Sequence, residues 1–268
     1  MENKMKRFSV LCLILISILI IHIKAVAQEN ANSSGNTTKP VIDPMVSALV
    51  KKMGNRIQNA KEFSFHTEIS YDDVLPSGQK IQFAAAQDVS VKRPNKVFAE
   101  YMSDVESREF WYNGKSVTLL DKHRNLTTNT KTAATIDGTL SEIMNKYGYT
   151  PALSDFIYSD PHKTLMENVI AGFYVGLGDV NGTECHHVAF VEKYIDWQLW
   201  IGTGNNPVPR KLVITYKTVS DSPQYVVVFS DWNFNKSIPN SVFEPKLPPG
   251  VKEINMRELK EINSEGDM

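Results

Sequence analysis

The sequence predicts an α+β protein, mainly antiparallel β: one highly curved, half-open β-barrel of roughly ten strands, closed by an N-terminal helix and a central helical insert. Three observations carry this. Apolar and polar residues alternate with a period of two through much of 63–130, and again from 174 to 234. Asn113-Gly114 and Asn181-Gly182 sit between alternating runs, the pattern of tight hairpins. Helical spacing, by contrast, is confined to 44–60 and 136–169.

The N-terminus opens with Lys4, Lys6 and Arg7, then an apolar run from Phe8 to Ile23, then Ala25-Val26-Ala27. That order is a secretory signal peptide cleaved after Ala27. The rival is an uncleaved inner-membrane anchor, because the run approaches the ~17 residues that a span requires. Residues 28–42 follow as a polar flexible linker, rich in Asn, Ser and Thr. Asp43-Pro44 supplies an N-cap and an N1 proline, and Val46, Leu49, Val50, Met53 and Ile57 then form one apolar helical stripe.

From Phe63 the pattern reads as a β-meander, with turns at Pro76-Ser77-Gly78, Arg93-Pro94-Asn95 and Asn113-Gly114. Ile136, Leu140, Ile143, Met144 and Tyr147 predict a second amphipathic helix. Short helices are expected at 153–158 and 163–169, the latter opened by Ser159-Asp160-Pro161. Strands resume at Tyr174, return through Cys185–Glu192, and continue through 196–201, 211–217 and 225–234. The folded domain is thus expected over 43–251, with 252–268 a charged C-terminal tail.

Composition excludes some partners. Of 268 residues, 42% are hydrophobic and 22% charged, ordinary for a chain that buries a core. Residues 1–27 carry four cations and one anion, so their removal takes the formal charge from −1 to −4. No basic block remains, which argues against nucleic acid. Cys12 leaves with the leader and Cys185 stands alone, so stability cannot rest on an internal disulfide.

Chemistry-bearing candidates are few. In Cys185-His186-His187 a thiol stands beside imidazoles, as in a nucleophile or metal site. On a strand, however, Cys185 and His187 share one face and His186 takes the other, which is ordinary strand packing. Asp72-Asp73 ends a strand before a turn, and Asp160 occupies an N-cap; neither they nor Asp155 have the spacing of a calcium loop. No metal or cofactor is expected. The aromatic and aliphatic residues at alternating positions are the better candidates. Phe65, Ile69, Phe83, Tyr101, Trp197, Leu199, Leu212, Ile214 and Tyr216 would line an apolar hollow that the core leaves unfilled, able to take a lipid or acyl chain.

Four segments carry a resemblance: Tyr158–Pro161, Cys185–Phe190, Asp196–Ile201 and Arg210–Lys217. Over about 43–251 the chain resembles a family of predicted bacterial periplasmic proteins known as a domain of unknown function. More distantly, Phe110–Val117 is similar to a hairpin of the periplasmic lipoprotein carriers and their outer-membrane receptors. That resemblance implies a half-open barrel holding acyl chains between sheet and helices. The expected function is therefore non-catalytic, periplasmic binding of a hydrophobic small molecule or lipoprotein acyl chain. The alternatives are an envelope sensor or assembly partner that binds another protein, and, further off, a thiol-dependent hydrolase using Cys185 and His187.

Overall fold

The computed structural model describes residues 40–205 and 207–256. The signal peptide, most of the linker and the end of the charged tail lie outside the described residues. In chain order the strands are β1 (Val41–Ile42), β2 (Glu62–Val74), β3 (Lys80–Lys92), β4 (Lys96–Ser103), β5 (Ser107–Tyr112), β6 (Ser116–Asp121) and β7 (Leu126–Lys131). They continue as β8 (Ala171–Val180), β9 (Thr183–Val191), β10 (Ile195–Gly202), β11 (Pro209–Tyr216), β12 (Gln224–Asn233) and β13 (Lys252–Glu253). The helices are α1 (Pro44–Gln58), α2 (Ile136–Tyr147) and α3 (Pro161–Met166), with 3-10 turns at Ser154–Phe156 and Asn240–Phe243.

All thirteen strands form one sheet, in the order β1-β8-β9-β10-β11-β12-β2-β3-β4-β5-β6-β7-β13. Neighbours are antiparallel except at the two outer ends, where β1 and β13 lie parallel to β8 and β7. The sheet does not close on itself. Its two meanders are joined by β12 against β2, where Tyr225 pairs with Tyr71 and Val227 with Ile69. The count is thirteen, not ten. β1 and β13 are only two residues each, too short to leave a pattern. β7 reads Leu-Thr-Thr-Asn-Thr-Lys, in which the β-branched threonines supply strand propensity without an apolar alternation.

Helix α1 follows its sequence signals closely. Asp43 caps it by accepting from the Met45 N–H at 2.8 Å, and Pro44 occupies the first turn. Val46, Val50, Met53 and Ile57 are wholly buried along one stripe. Helix α2 starts at Thr135, whose side chain accepts from the Gly138 N–H, and stops at Gly148 in the left-handed region. The expected helix at 153–158 is only the 3-10 turn, since Pro151 and a left-handed Leu153 (φ 61°) interrupt it. The expected helix at 163–169 begins two residues earlier and ends at Met166; Asp160 caps it and Pro161 fills its first position.

These helices cover one face of the sheet, here called the inner face. Along β2 that face carries Phe63, Phe65, Thr67, Ile69 and Tyr71, all buried. Their core continues into Val188, Phe190, Trp197, Leu199 and Leu212 on one side, and into Val89, Val97, Phe110 and Val117 on the other. The outer face is mostly polar, with Lys122 bridging Glu100 and Glu109 across strands. Where it is apolar, at Phe98 and Trp111, the chain returns over it and buries Ile238 and Phe243. Ile238 is tied there by its N–H to Glu62 and by its carbonyl from Lys92.

Helices α1 and α3 come close together at Gly54. A Cβ there would stand 2.9 Å from His162 Cβ and 3.0 Å from its backbone nitrogen. Neither atom is the free end of a flexible side chain, so the helices would have to part. Gly54→Ala gains about 1 kcal/mol of helix propensity but loses about 1–3 kcal/mol to overpacking. The expected outcome is a net loss, seen as a fall of a few degrees in melting temperature by circular dichroism.

Candidate functional site

The nine residues picked from alternation all belong to the inner face by register. Trp197 pairs with Ile214 and Leu199 with Leu212 across β10–β11, and Ile69 lies opposite Val227 across β2–β12. They differ sharply in burial. Phe65, Ile69, Trp197, Leu199 and Leu212 are packed in the core beneath the helices, and Leu199 is wholly buried. Phe83, Tyr101, Ile214 and Tyr216 are only partly buried and lie toward one end of the sheet. The two groups are thus brought onto one surface but not into one pocket.

What the helices leave open on the inner face is small. A cavity of about 20 Å³ lies between β2–β5 and the insert, walled by Phe65, Val89, Ala99, Phe110, Leu140 and Leu153. It has room for about a single water, because the insert packs against this part of the sheet. One polar group, Gln87, lines that cavity. A larger recess of about 440 Å³, between Leu120 and Leu247-Pro248, is an open groove on the outer face with Glu109 and Lys122 in its walls. Its openness and charge make it the poorer site for an apolar ligand.

The insert is held unevenly. At its far end Arg93 donates to the carbonyls of Ile157 and Tyr158 at 3.0 and 2.9 Å. Asp137 accepts from the Ser159 N–H and hydroxyl at 2.8 and 2.5 Å. Burial works against the Arg93 charge, and Asp137 supports it. Over 149–153, by contrast, the backbone bonds of the described residues are local: Ser154 donates to Pro151 and Phe156 to Leu153. Leu153 pays a left-handed backbone as well. The stretch above the cavity is therefore the weakly tied part, flanked by Gly148 on one side and the Arg93 anchor on the other.

Sequence reasoning picked Tyr101 and Tyr216 but missed Gln87, Tyr71 and Tyr225 on this face. Gln87 is 5% exposed, and its side-chain oxygen has no hydrogen-bond partner among the described residues. The signal was available in Phe83-x-Ala85-x-Gln87-x-Val89-x-Val91, where one amide interrupts an apolar row. Tyr71 and Tyr225 face each other across β2–β12, beside Tyr101 and Tyr216. Burial pushes the Tyr216 phenol up to about 12 and raises those of Tyr71, Tyr101 and Tyr225 too.

The Cys185-His186-His187 cluster is divided by the sheet. Register places His186 opposite Ile201 on the inner face, where its Nδ1 lies 3.1 Å from the Tyr174 hydroxyl. His187 lies on the outer face, 3.0 Å from Gln198 and stacked on Trp200 with ring centroids 3.9 Å apart. Burial lowers its pKa, which keeps the imidazole neutral. Cys185 is wholly buried, its thiol donating to the Thr183 carbonyl, and burial pushes its pKa up. Among the described residues no three His, Cys, Asp or Glu side chains are grouped to hold a metal. No helix among them is long and apolar enough to cross a membrane.

Sheet, helices and inner face together define a class: an open antiparallel β protein built round an apolar, helix-covered interior. The chain belongs to the family described as predicted periplasmic protein (DUF2092), whose model matches residues 47–257. No curated protein matches it. Among solved structures it is similar to LprF from Mycobacterium bovis, at 14% identity and TM-score 0.46, over 75% of this chain and 98% of that one. It is also similar to the lipoprotein LppX from Mycobacterium tuberculosis, at 14% identity and TM-score 0.45, over 74% of this chain and 100% of that one. A third is an uncharacterized conserved protein from Thermus thermophilus, at 6% identity and TM-score 0.47, over 79% and 99% respectively.

A buried, protonated thiol is a poor nucleophile. Iodoacetamide at neutral pH is expected to leave Cys185 unmodified in the folded protein and to label it fully in denaturant, as read by intact mass. Rapid labelling without denaturant would contradict this burial and revive the thiol chemistry.

Proposed function

We propose that this protein is a periplasmic binding protein that takes an apolar ligand, a lipid or the acyl part of a lipoprotein, against the inner face of the sheet. The observation that carries the reading is the loosely tied stretch 149–153, which covers an apolar surface over a residual cavity. In the described state the insert stands in for the ligand, so binding exchanges one apolar cover for another. Withdrawing Leu153 and its neighbours exposes Phe65, Val89, Ala99 and Phe110, and an acyl chain re-covers them. Covering ~400 Å² of acyl surface at ~25 cal/mol/Å² gives about 10 kcal/mol gross. Part of that offsets the lost insert contacts and the ordinary costs of association, which leaves moderate rather than extreme affinity.

Within this reading the nine alternating residues divide their roles. Phe65 lines the cavity directly, while Ile69, Trp197, Leu199 and Leu212 continue the same apolar face away from it, toward β10 and β11. Phe83, Tyr101, Ile214 and Tyr216 lie toward the rim. A charge at Leu199 would unfold the protein, because that side chain is wholly buried. The informative substitution is Ala99→Phe, which fills the cavity from the sheet side at about 1–3 kcal/mol of overpacking.

A second reading rests on a separate observation. Beyond Ala171 and Gly172, β8 has no outer neighbour among the described residues. Phe173, Val175 and Leu177 on that strand are 52%, 51% and 61% exposed. A free strand edge bearing apolar side chains suits addition of a strand from an envelope protein.

The test is native mass spectrometry of the protein isolated from the envelope, followed by solvent extraction. A co-purifying lipid or acylated peptide, absent from Ala99→Phe of unchanged far-ultraviolet circular dichroism, is expected. A wild type that is empty and cannot be loaded with acyl chains would contradict the acyl reading, and a stable protein partner in the same preparation would favour the second.

A further inference from the structure

Several polar residues of the inner face gather at one end of it. Tyr71 faces Phe83 on β3 and Tyr225 on β12, and Gln87 faces Tyr101 on β4. Ala85 lies between these positions on β3, buried and small, and over it Tyr71 and Tyr101 meet in a hydrogen bond. The hairpins 75–79, 104–106 and 217–223 bound this end, and Tyr149, at the start of the weakly tied stretch, lies beside Arg108 and Glu106. Deeper along the same strands every inner position from Val89 to Val91 and from Phe65 to Phe63 is apolar. An amphiphile laid along β2–β4 with its chain toward Phe65 would therefore end with its head among the tyrosines.

Two groups here lack hydrogen-bond partners among the described residues. The Gln87 side-chain oxygen has none, in a residue 95% removed from solvent that lines the cavity. The Tyr225 hydroxyl, sealed from solvent though the residue is partly exposed, has none either. Each unpaired buried polar group costs stability unless something completes it. The Gln87 oxygen is an acceptor in the cavity wall, and the Tyr225 hydroxyl is a donor among the tyrosines at the same end of the sheet.

The surroundings select the head's charge. Burial keeps the phenols protonated, so they act as neutral donors throughout the physiological range. Glu106 and Asp104 lie close enough to Tyr71 to raise it further. Arg108 is paired with Glu106, and the lysines at this end, Lys80 and Lys217, are paired with Asp72 and Asp196. An anionic head would meet carboxylates and an already neutralised guanidinium, whereas an uncharged hydroxyl or ester head meets hydrogen-bonding groups of its own kind.

Resting on the acyl-binding reading above, we propose that Tyr71, Tyr101, Tyr225 and Gln87 form a head-group subsite for an uncharged, hydroxyl- or ester-bearing head such as that of an acylglycerol. Gln87 and Tyr225 complete their missing hydrogen bonds on it. The free protein holds these groups at a cost in stability that the ligand removes.

The test compares monooleoylglycerol with oleate, which share a chain and differ in head, by displacement of a fluorescent acyl probe at pH 7.5. The wild type is expected to prefer monooleoylglycerol. Gln87→Leu and Tyr225→Phe should each weaken that ligand by about twofold to tenfold, the worth of one neutral hydrogen bond. Oleate should be affected less than monooleoylglycerol, so that the ratio of the two affinities narrows in each variant, and the melting temperature of each free variant should hold or rise. A role in holding the fold together predicts the opposite, a fall in melting temperature. Overturning results are equal affinity for the two ligands, variants that lose both alike, or variants that melt lower. If oleate binds and the variants do not discriminate, the subsite alone fails; if neither ligand binds the wild type, the acyl reading fails and the subsite with it.

Discussion

A sheet with one apolar face must bury that face, and in this protein everything else follows from how it is done. Thirteen strands present a nearly continuous inner row of Phe, Val, Ile, Leu and Trp that no second sheet covers. Helix α1 takes the part over β8–β10 and the helical insert takes the part over β2–β6. The first cover is permanent by its chemistry: capped at Asp43, wedged against α3 at Gly54, with four side chains wholly buried. The second is fixed firmly at Arg93 and Asp137 but rests on local bonds from 149 to 153. On the proposed reading, that asymmetry is what would distinguish a ligand-accepting surface from a plain core.

The difference between the two covers also sets the energetics of binding. A ligand that displaces α1 would have to offset the burial of Val46, Val50, Met53 and Ile57, at about 1.5–3 kcal/mol each. One that displaces 149–153 competes with a short segment that already carries a left-handed leucine. The conformational cost of admitting a chain is therefore lowest at the cavity, where the orphaned Gln87 oxygen also lies. In the proposed mode the same surface would give an apolar floor for the tail and a polar rim for the head, so one strand register would supply both.

Much of the architecture was legible because its signals are local. The Asp43-Pro44 cap, the α1 and α2 stripes, and the Asn113-Gly114 and Asn181-Gly182 hairpins each lie within a few residues of what they specify. The misses have physical causes. β1 and β13 exist only because β8 and β7 offer free edges, and β7 is held by threonines whose pattern is not apolar. The insert shortened where Pro151 and Leu153 break it. At the candidate site, alternation placed all nine residues on one face, the inner one, since side-chain direction has a period of two. Burial depth could not be read the same way, because it depends on which helix lies over each strand. That is why Leu199 and Tyr216 look equivalent in sequence and differ in the fold.

The central claim is that the stretch above the cavity yields to an acyl chain while the rest of the fold stays. Hydrogen–deuterium exchange with and without a saturating monoacyl ligand tests it most directly. Amides of 148–154 are expected to exchange fastest among the inner-face elements in the free protein and to change protection on binding, with β2–β4 gaining and α1 unchanged. A ligand that binds while 148–154 and β2–β4 keep their exchange rates, or that alters α1 instead, would contradict the claim.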